Sequence, residues 1–377
     1  MTAEARTTPI RAIAVRPGEA DSLHEREVAR PSVDDIPGGR GVLVSVLRVG
    51  LCGTDAEINA AEFGEAPPGD DYLILGHENL GRIEAVGPNV PTNLKRGGLV
   101  VATVRRPGST VYDQVGLQDM TTGNDFTERG IRRAHGYLAQ TYVEDAAYIV
   151  PLPDSLAGVG VLLEPLSVAE KGLRQAFEIQ DRLHVWQPQR AAVLGAGPIG
   201  LLTALALRLR GIEVELLSRR EARYLNSDLV EAIGGHYAST STTTIAEVSA
   251  KAGPFDIILD ATGFSPLVFA AADVLAPNGV LILASVTGGD RTAEVPTDHI
   301  NQGFVLGNKV MVGTVNSHRD DFAEGVQDML RAEAFYPGWL RRLLTTEIKG
   351  LAADKILAHL KAGDGAIKAF VQVAEDG

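Results

Sequence analysis

One cysteine, Cys52, occurs in 377 residues. No disulfide can close within a single chain, and neither a four-cysteine nor a Cys2His2 zinc knot can form there. That scarcity favours a reducing compartment, and the expected location is cytoplasmic. Apolar runs are short; none approaches the roughly 18 residues that a membrane span requires. The first residues, MTAEARTTPIRAIAV, lack the apolar core and small-residue cleavage site of a signal peptide. An excess of basic charge is also missing. The formal net charge is −13, which argues against a binder of nucleic-acid backbones. No repeat of 20–50 residues is visible, which excludes solenoids and propellers. What is present is a globular balance, 45% hydrophobic and 22% charged, in a length that suggests two domains.

The texture along the chain changes twice. Up to about residue 150, short Val/Ile/Leu runs are broken by Gly and Pro, as in GVLVSVLRVGLCG, LGRIEAVGPNV and GGLVVATVRR. These predict strands and turns in a barrel-like pattern. Beyond residue 156, Leu163, Leu166, Ala169, Leu173 and Phe177 recur at steps of three or four, which predicts an amphipathic helix. Pro165 falls in its first turn, where a missing N–H costs little. From about 190 to 315, the strand-like runs AAVLG, VELLS, DIILDATG and GVLILASV alternate with helical stretches such as PIGLLTALALRLRG and SPLVFAAADVLA. That alternation predicts a doubly wound parallel sheet. The tail from 317, with HRDDFAEGVQDMLRAEA and then a short strand in AIKAFVQVAE, is expected to return to the first domain. The expected class is α/β: a β-rich domain of residues 1–187 and 317–377, with a Rossmann domain of residues 188–316 inserted.

Gly195-Ala196-Gly197-Pro198-Ile199-Gly200 follows the strand AAVL and opens a helix. In that setting a G-x-G-x-x-G run predicts a dinucleotide site. Gly195 allows the tight turn, Gly197 the close approach of a pyrophosphate, and Gly200 the packing of helix on strand. An NAD enzyme would end its second strand on a carboxylate that accepts from the ribose 2′-OH. Here the strand ends in Ser218-Arg219-Arg220. Guanidiniums suit a 2′-phosphate, so NADP is the expected cofactor, with NAD possible. A solvated basic turn is the simpler alternative.

Cys52 lies in LCGTD after a strand, His77 and Glu78 in LGHEN, and Glu164 at the head of the helix from 163. Taken singly, each has an ordinary packing role as an alternative. A thiolate, an imidazole and a carboxylate together make a mixed donor set, and three protein ligands leave one tetrahedral position open, as in catalytic zinc sites.

CGTD, GHE, a mid-chain Glu-Pro helix and GAGPIG together resemble the zinc-dependent medium-chain dehydrogenase/reductase superfamily over nearly the whole chain. Within it the sequence is most similar to archaeal-type glucose 1-dehydrogenases, through Thr103-Val104-Arg105-Arg106, Phe126 to Ile131, Glu164-Pro165-Leu166, Ser218-Arg219-Arg220 and Val315-Asn316. The resemblance implies a GroES-like catalytic domain, one catalytic zinc per chain on Cys52, His77 and Glu164, and oxidation of an aldose at C1 to the lactone with NADP. It places Glu78 next to the metal, Thr54 at the substrate, and Glu128 and Asn316 at sugar hydroxyls, with Glu164 also expected at the substrate; Thr54 is further expected to begin a proton relay to solvent. Asp55 is expected to orient a ligand imidazole. A homodimer or homotetramer is implied as well. The family's four-cysteine lobe is replaced here by PGSTVYDQVGLQDMTTGND, so no structural zinc is expected. Val168 and Leu306 replace polar residues found in some members, which leaves fewer groups for hydroxyls. A polyol or secondary-alcohol dehydrogenase is the alternative activity; a zinc-free quinone or enone reductase, or a protein that merely binds the nucleotide, is the more distant one.

Overall fold

The computed structural model describes residues 8–286, 288–363 and 365–375. The chain divides into two compact units: residues up to Glu164 with Ser317–Val326 and Leu340 onward, and Pro165–Asn316 with Gln327–Trp339.

The first unit is organised by one long strand, Gly41–Leu51, whose sequence GVLVSVLRVGL is buried at every position but one. A strand apolar on both faces must lie between neighbours. Glu78–Val86 pairs antiparallel along one edge; Thr141–Asp145 and then Lys368–Gln372 pair along the other. Leu99–Ala102 and Ile149–Leu152 extend the sheet on the first side, and Leu344–Lys349 extends it on the second. A small sheet of Ile10–Val15, His24–Val28 and Leu73–Ile74 joins the same core, which includes Ile13, Val44, Leu75, Tyr142, Ile348 and Val371. Each such side chain contributes about 1.5–3 kcal/mol by leaving water.

The segment that lacks the family's cysteines is closed by hydrogen bonds. Asp113 Oδ2 accepts from the Thr110 amide at 2.9 Å, the Thr110 hydroxyl at 2.6 Å and the Thr121 hydroxyl at 2.7 Å. Burial opposes its charge. The hydroxyls and the amides of Gly108 and Thr110 prevail, and its pKa falls to about 2.

The second unit holds six parallel strands in the order His236–Ser239, Glu213–Ser218, Arg190–Leu194, Phe255–Asp260, Leu275–Leu283, Val310–Gly313. The order reverses direction at Arg190–Leu194, the position in a doubly wound sheet beyond whose carboxyl end a nucleotide ordinarily binds. The helix Pro198–Leu209 starts there with Pro at its first position. The two edge strands were not predicted. HYAS and VMVG are four residues each and only partly buried, too short for a periodic signal. The tail is shared between the units. Asp328 on the helix Arg319–Phe335 meets Arg210 at 2.6 Å, and the Trp339 indole donates to the Leu229 carbonyl at 2.8 Å, both within the second unit.

Candidate active site

Strand register assembles the site in the first unit. Gly50 stands opposite Glu78 and Leu51 opposite Ala369. Cys52, Glu78 and Lys368 are each at or one residue from these pairs, although they are far apart in sequence. Cys52 leaves the strand as N-cap of the helix Gly53–Asn59, in extended backbone. Asp55, on the first turn, reaches back and accepts from the Cys52 amide at 3.0 Å. That contact fixes where the thiol emerges. Gly50 is needed for space: a Cβ there would lie 2.0 Å from Glu78 Oε2.

Two overlapping donor groups result, Cys52–Asp55–His77 and His77–Glu78–Glu164, each with its ligand atoms within 4.8 Å of one another. His77 belongs to both. The expected trio of Cys52, His77 and Glu164 is thus spread over the two groups and joined through the imidazole. Cys52 Sγ is 3.2 Å from His77 Nε2. On a tetrahedral zinc with bonds of ~2.3 Å to sulfur and ~2.0 Å to nitrogen, such atoms sit about 3.5 Å apart. Zinc fits this pair.

Glu78 Oε2 makes the same point: it is buried and lacks a hydrogen-bond partner, an arrangement that costs energy unless something fills it. His77 Nδ1 and Asp55 Oδ1 are also buried without hydrogen-bond partners. Asp55 Oδ1 is 3.8 Å from His77 Nδ1, placed to orient that ring. Burial works against an imidazolium here, yet the neighbouring Cys52 and Asp55 carry the His77 pKa well above its ordinary value. Burial, with Glu78 adding to it, pushes the Glu164 carboxyl up to about 7. Both shifts favour the protonated forms in a buried pocket rich in acceptors, where a divalent cation would take the place of those protons.

Lys368 was missed in the sequence. Its Nζ donates to Glu78 Oε1 at 2.5 Å and to the Leu51 carbonyl at 3.2 Å, with both charged side chains only 2% exposed. A lysine inside the apolar strand run AIKAF is the signal that was available, since a charge is retained in a core only with a partner.

The remaining expected residues fall as follows. Thr54 is half-buried, second in the helix capped by Cys52. Glu128 is on the strand Thr127–Arg129 and lies outside both donor groups. Arg105 donates to its Oε1 from Nε at 3.0 Å and Nη2 at 2.9 Å, while stacking 4.3 Å above Phe126. Asn316 belongs to the second unit and has left-handed backbone, φ 60°.

In the second unit, Gly195 has φ +105°, open to glycine at low cost. A Cβ at Gly200 would fall 1.9 Å from the Gly195 carbonyl oxygen, whereas one at Gly197 would meet nothing within 4 Å. The close packing thus belongs to Gly200, and open space remains at Gly197, which caps the helix holding Pro198 and Ile199. Helix amides facing that space can take a phosphate. Ser218 ends its strand and the exposed Arg219 and Arg220 follow.

Comparison with known proteins gives consistent matches. Residues 38–154 match the alcohol dehydrogenase GroES-like domain and residues 157–373 match the glucose dehydrogenase C-terminus. A glucose 1-dehydrogenase of Methanocella arvoryzae is 42% identical over 366 residues, covering 97% of this chain and 99% of that protein. A solved structure, the Haloferax mediterranei glucose dehydrogenase in complex with NADP, Zn and gluconolactone, is 34% identical with a TM-score of 0.85, covering 97% of this chain and 100% of the other. The 2R,3R-butanediol dehydrogenase from Bacillus subtilis, at 20% identity and a TM-score of 0.77 over 97% of this chain and 100% of the other, shares the fold.

Proposed function

The chain belongs to the glucose dehydrogenases of the zinc-dependent medium-chain dehydrogenase superfamily, and from that premise we propose that it oxidises glucose at C1 to the lactone, with NADP as acceptor and one catalytic zinc per chain. The observation that carries this reading is the convergence of Cys52, Asp55, His77, Glu78 and Glu164 within two overlapping groups, in which Glu78 Oε2 is buried without a hydrogen-bond partner.

When bound, zinc supplies Lewis acidity to the substrate hydroxyl, and NADP supplies the acceptor for the hydride from the same carbon. The chain does the rest. Cys52, His77 and Glu164 would hold the metal, and Asp55 would orient His77 while fixing the Cys52 backbone. Glu78 keeps Oε1 on Lys368, which leaves Oε2 as the oxygen that would take up the hydroxyl proton or stand beside the metal. Thr54 begins the path of that proton toward solvent. Glu128, held by Arg105, and Asn316 accept from sugar hydroxyls. Gly197 admits the pyrophosphate, with Gly195 shaping the turn and Gly200 packing closely against it, and Arg219 and Arg220 take the 2′-phosphate.

We infer a homodimer or homotetramer in the cytoplasm, in keeping with the family and with the single cysteine. Among the described residues no helix is long and apolar enough to cross a membrane. A panel of sugars and polyols with NADP tests the substrate assignment. Oxidation of glucose is expected; turnover of sorbitol with none of glucose or xylose would overturn it.

A further inference from the structure

The turn after Glu213–Ser218 carries two exposed guanidiniums, yet its backbone is held from outside the turn. Strand pairing ends at Ser218 opposite Ser239, so the carbonyls of Arg219 and Arg220 lie beyond the ladder. Side chains take over. Ser239 Oγ donates to the Arg219 carbonyl at 3.0 Å, and the Tyr237 phenol donates to the Arg220 carbonyl.

A phenol has one proton to give. Since Tyr237 gives it to Arg220, its contact with the Tyr224 hydroxyl at 3.0 Å is one in which Tyr224 donates. The two rings meet edge to face, 5.7 Å apart at 80°. The Arg220 guanidinium then lies 4.5 Å above the Tyr224 ring, a cation–π contact. The contacts form a closed circuit: Tyr224 to Tyr237, Tyr237 to the Arg220 backbone, and the Arg220 side chain back onto Tyr224. Backbone and side chain of one residue are fixed together.

Exposed arginines ordinarily lose much rotamer freedom when they clamp an anion, and that loss subtracts from affinity. An arginine already ordered loses less. We propose that Tyr224 and Tyr237 are specificity-determining positioning residues: they set Arg220, as Ser239 sets Arg219, in place for the 2′-phosphate of NADP and thereby favour NADP over NAD. This rests on the NADP reading of the Arg219-Arg220 turn. The circuit lies wholly in the second unit, apart from the metal donors.

The test is calorimetric titration of the full chain with 2′,5′-ADP and with 5′-AMP, which differ only by the phosphate at issue. The parent protein should bind 2′,5′-ADP the more tightly. Tyr237→Phe keeps the ring and its packing but loses both hydroxyl contacts. It should weaken 2′,5′-ADP by about fivefold to tenfold and leave 5′-AMP within about twofold. Tyr224→Leu, which removes the ring beneath Arg220, should act in the same direction. If both variants keep the parental ratio of the two affinities, or lose both ligands equally, the bracing role is wrong. If the parent itself does not distinguish the two ligands, the NADP reading beneath it is wrong.

Discussion

Lys368→Met removes the cation of the buried pair and leaves Glu78 without its counter-charge. Both side chains are 2% exposed and 2.5 Å apart, and Lys368 also supplies a donor to the Leu51 carbonyl at 3.2 Å. Deleting one partner of a buried pair costs about 3–5 kcal/mol, because the remaining charge stays desolvated; deleting both costs far less. On a total stability of roughly 5–15 kcal/mol, that is a large loss. Three variants therefore make the assay: Lys368→Met, Glu78→Gln and the double variant, each unfolded in urea after metal removal. The double variant is expected to recover at least half of the loss in Lys368→Met. Repeating the series with zinc should shrink the single-variant loss, since a cation beside Glu78 replaces part of the missing charge. A loss below about 1 kcal/mol in metal-free Lys368→Met, or a double variant as unstable as the two singles summed, would refute the reasoning.

Cys52→Ser should bind well under one zinc per chain after dialysis, measured by elemental analysis, and lose more than about 100-fold in glucose oxidation, since even partners behind a ligand cost 10–100-fold. Full activity in that variant would exclude the zinc mechanism. Arg219→Ala with Arg220→Ala should raise KM for NADP by about tenfold or more per guanidinium while NAD changes little; equal changes for both cofactors would contradict the assignment. Asp113, with its pKa brought down to about 2, contributes stability that is present above the ordinary value near 4 and is lost as pH falls toward 2. Asp113→Asn should flatten the acid side of the stability curve, followed by circular dichroism; an unchanged acid limb would show that its hydrogen bonds carry no such weight.

Local signals made much of this molecule legible. Long or repeated apolar runs announced the core strands of the two large sheets, and the strand–glycine–helix order announced the turn at Gly195–Gly200. Cys52, His77 and Glu164 stood out because each sits in a short motif at a strand or helix end. What escaped depends on register or on tertiary contact. Lys368 and Glu78 are 290 residues apart and meet because Leu51 pairs with Ala369 and Gly50 with Glu78. No local pattern encodes that meeting. Tyr224 and Tyr237 likewise acquire a role only once the strand His236–Ser239 lies beside Glu213–Ser218. The tie between Glu128 and Arg105 needs the antiparallel pair formed by Arg105–Arg106 and Thr127–Arg129. Short edge strands such as VMVG carry too few residues to show a period.

The proposed activity depends on a zinc ion held by Cys52, His77 and Glu164. Its most direct test is a titration of the metal-stripped protein with zinc, reading NADPH formation from glucose at each addition. No activity is expected without metal, followed by a linear rise that saturates at one zinc per chain. Activity at full rate before any zinc is added, or none from glucose after saturation, would contradict it.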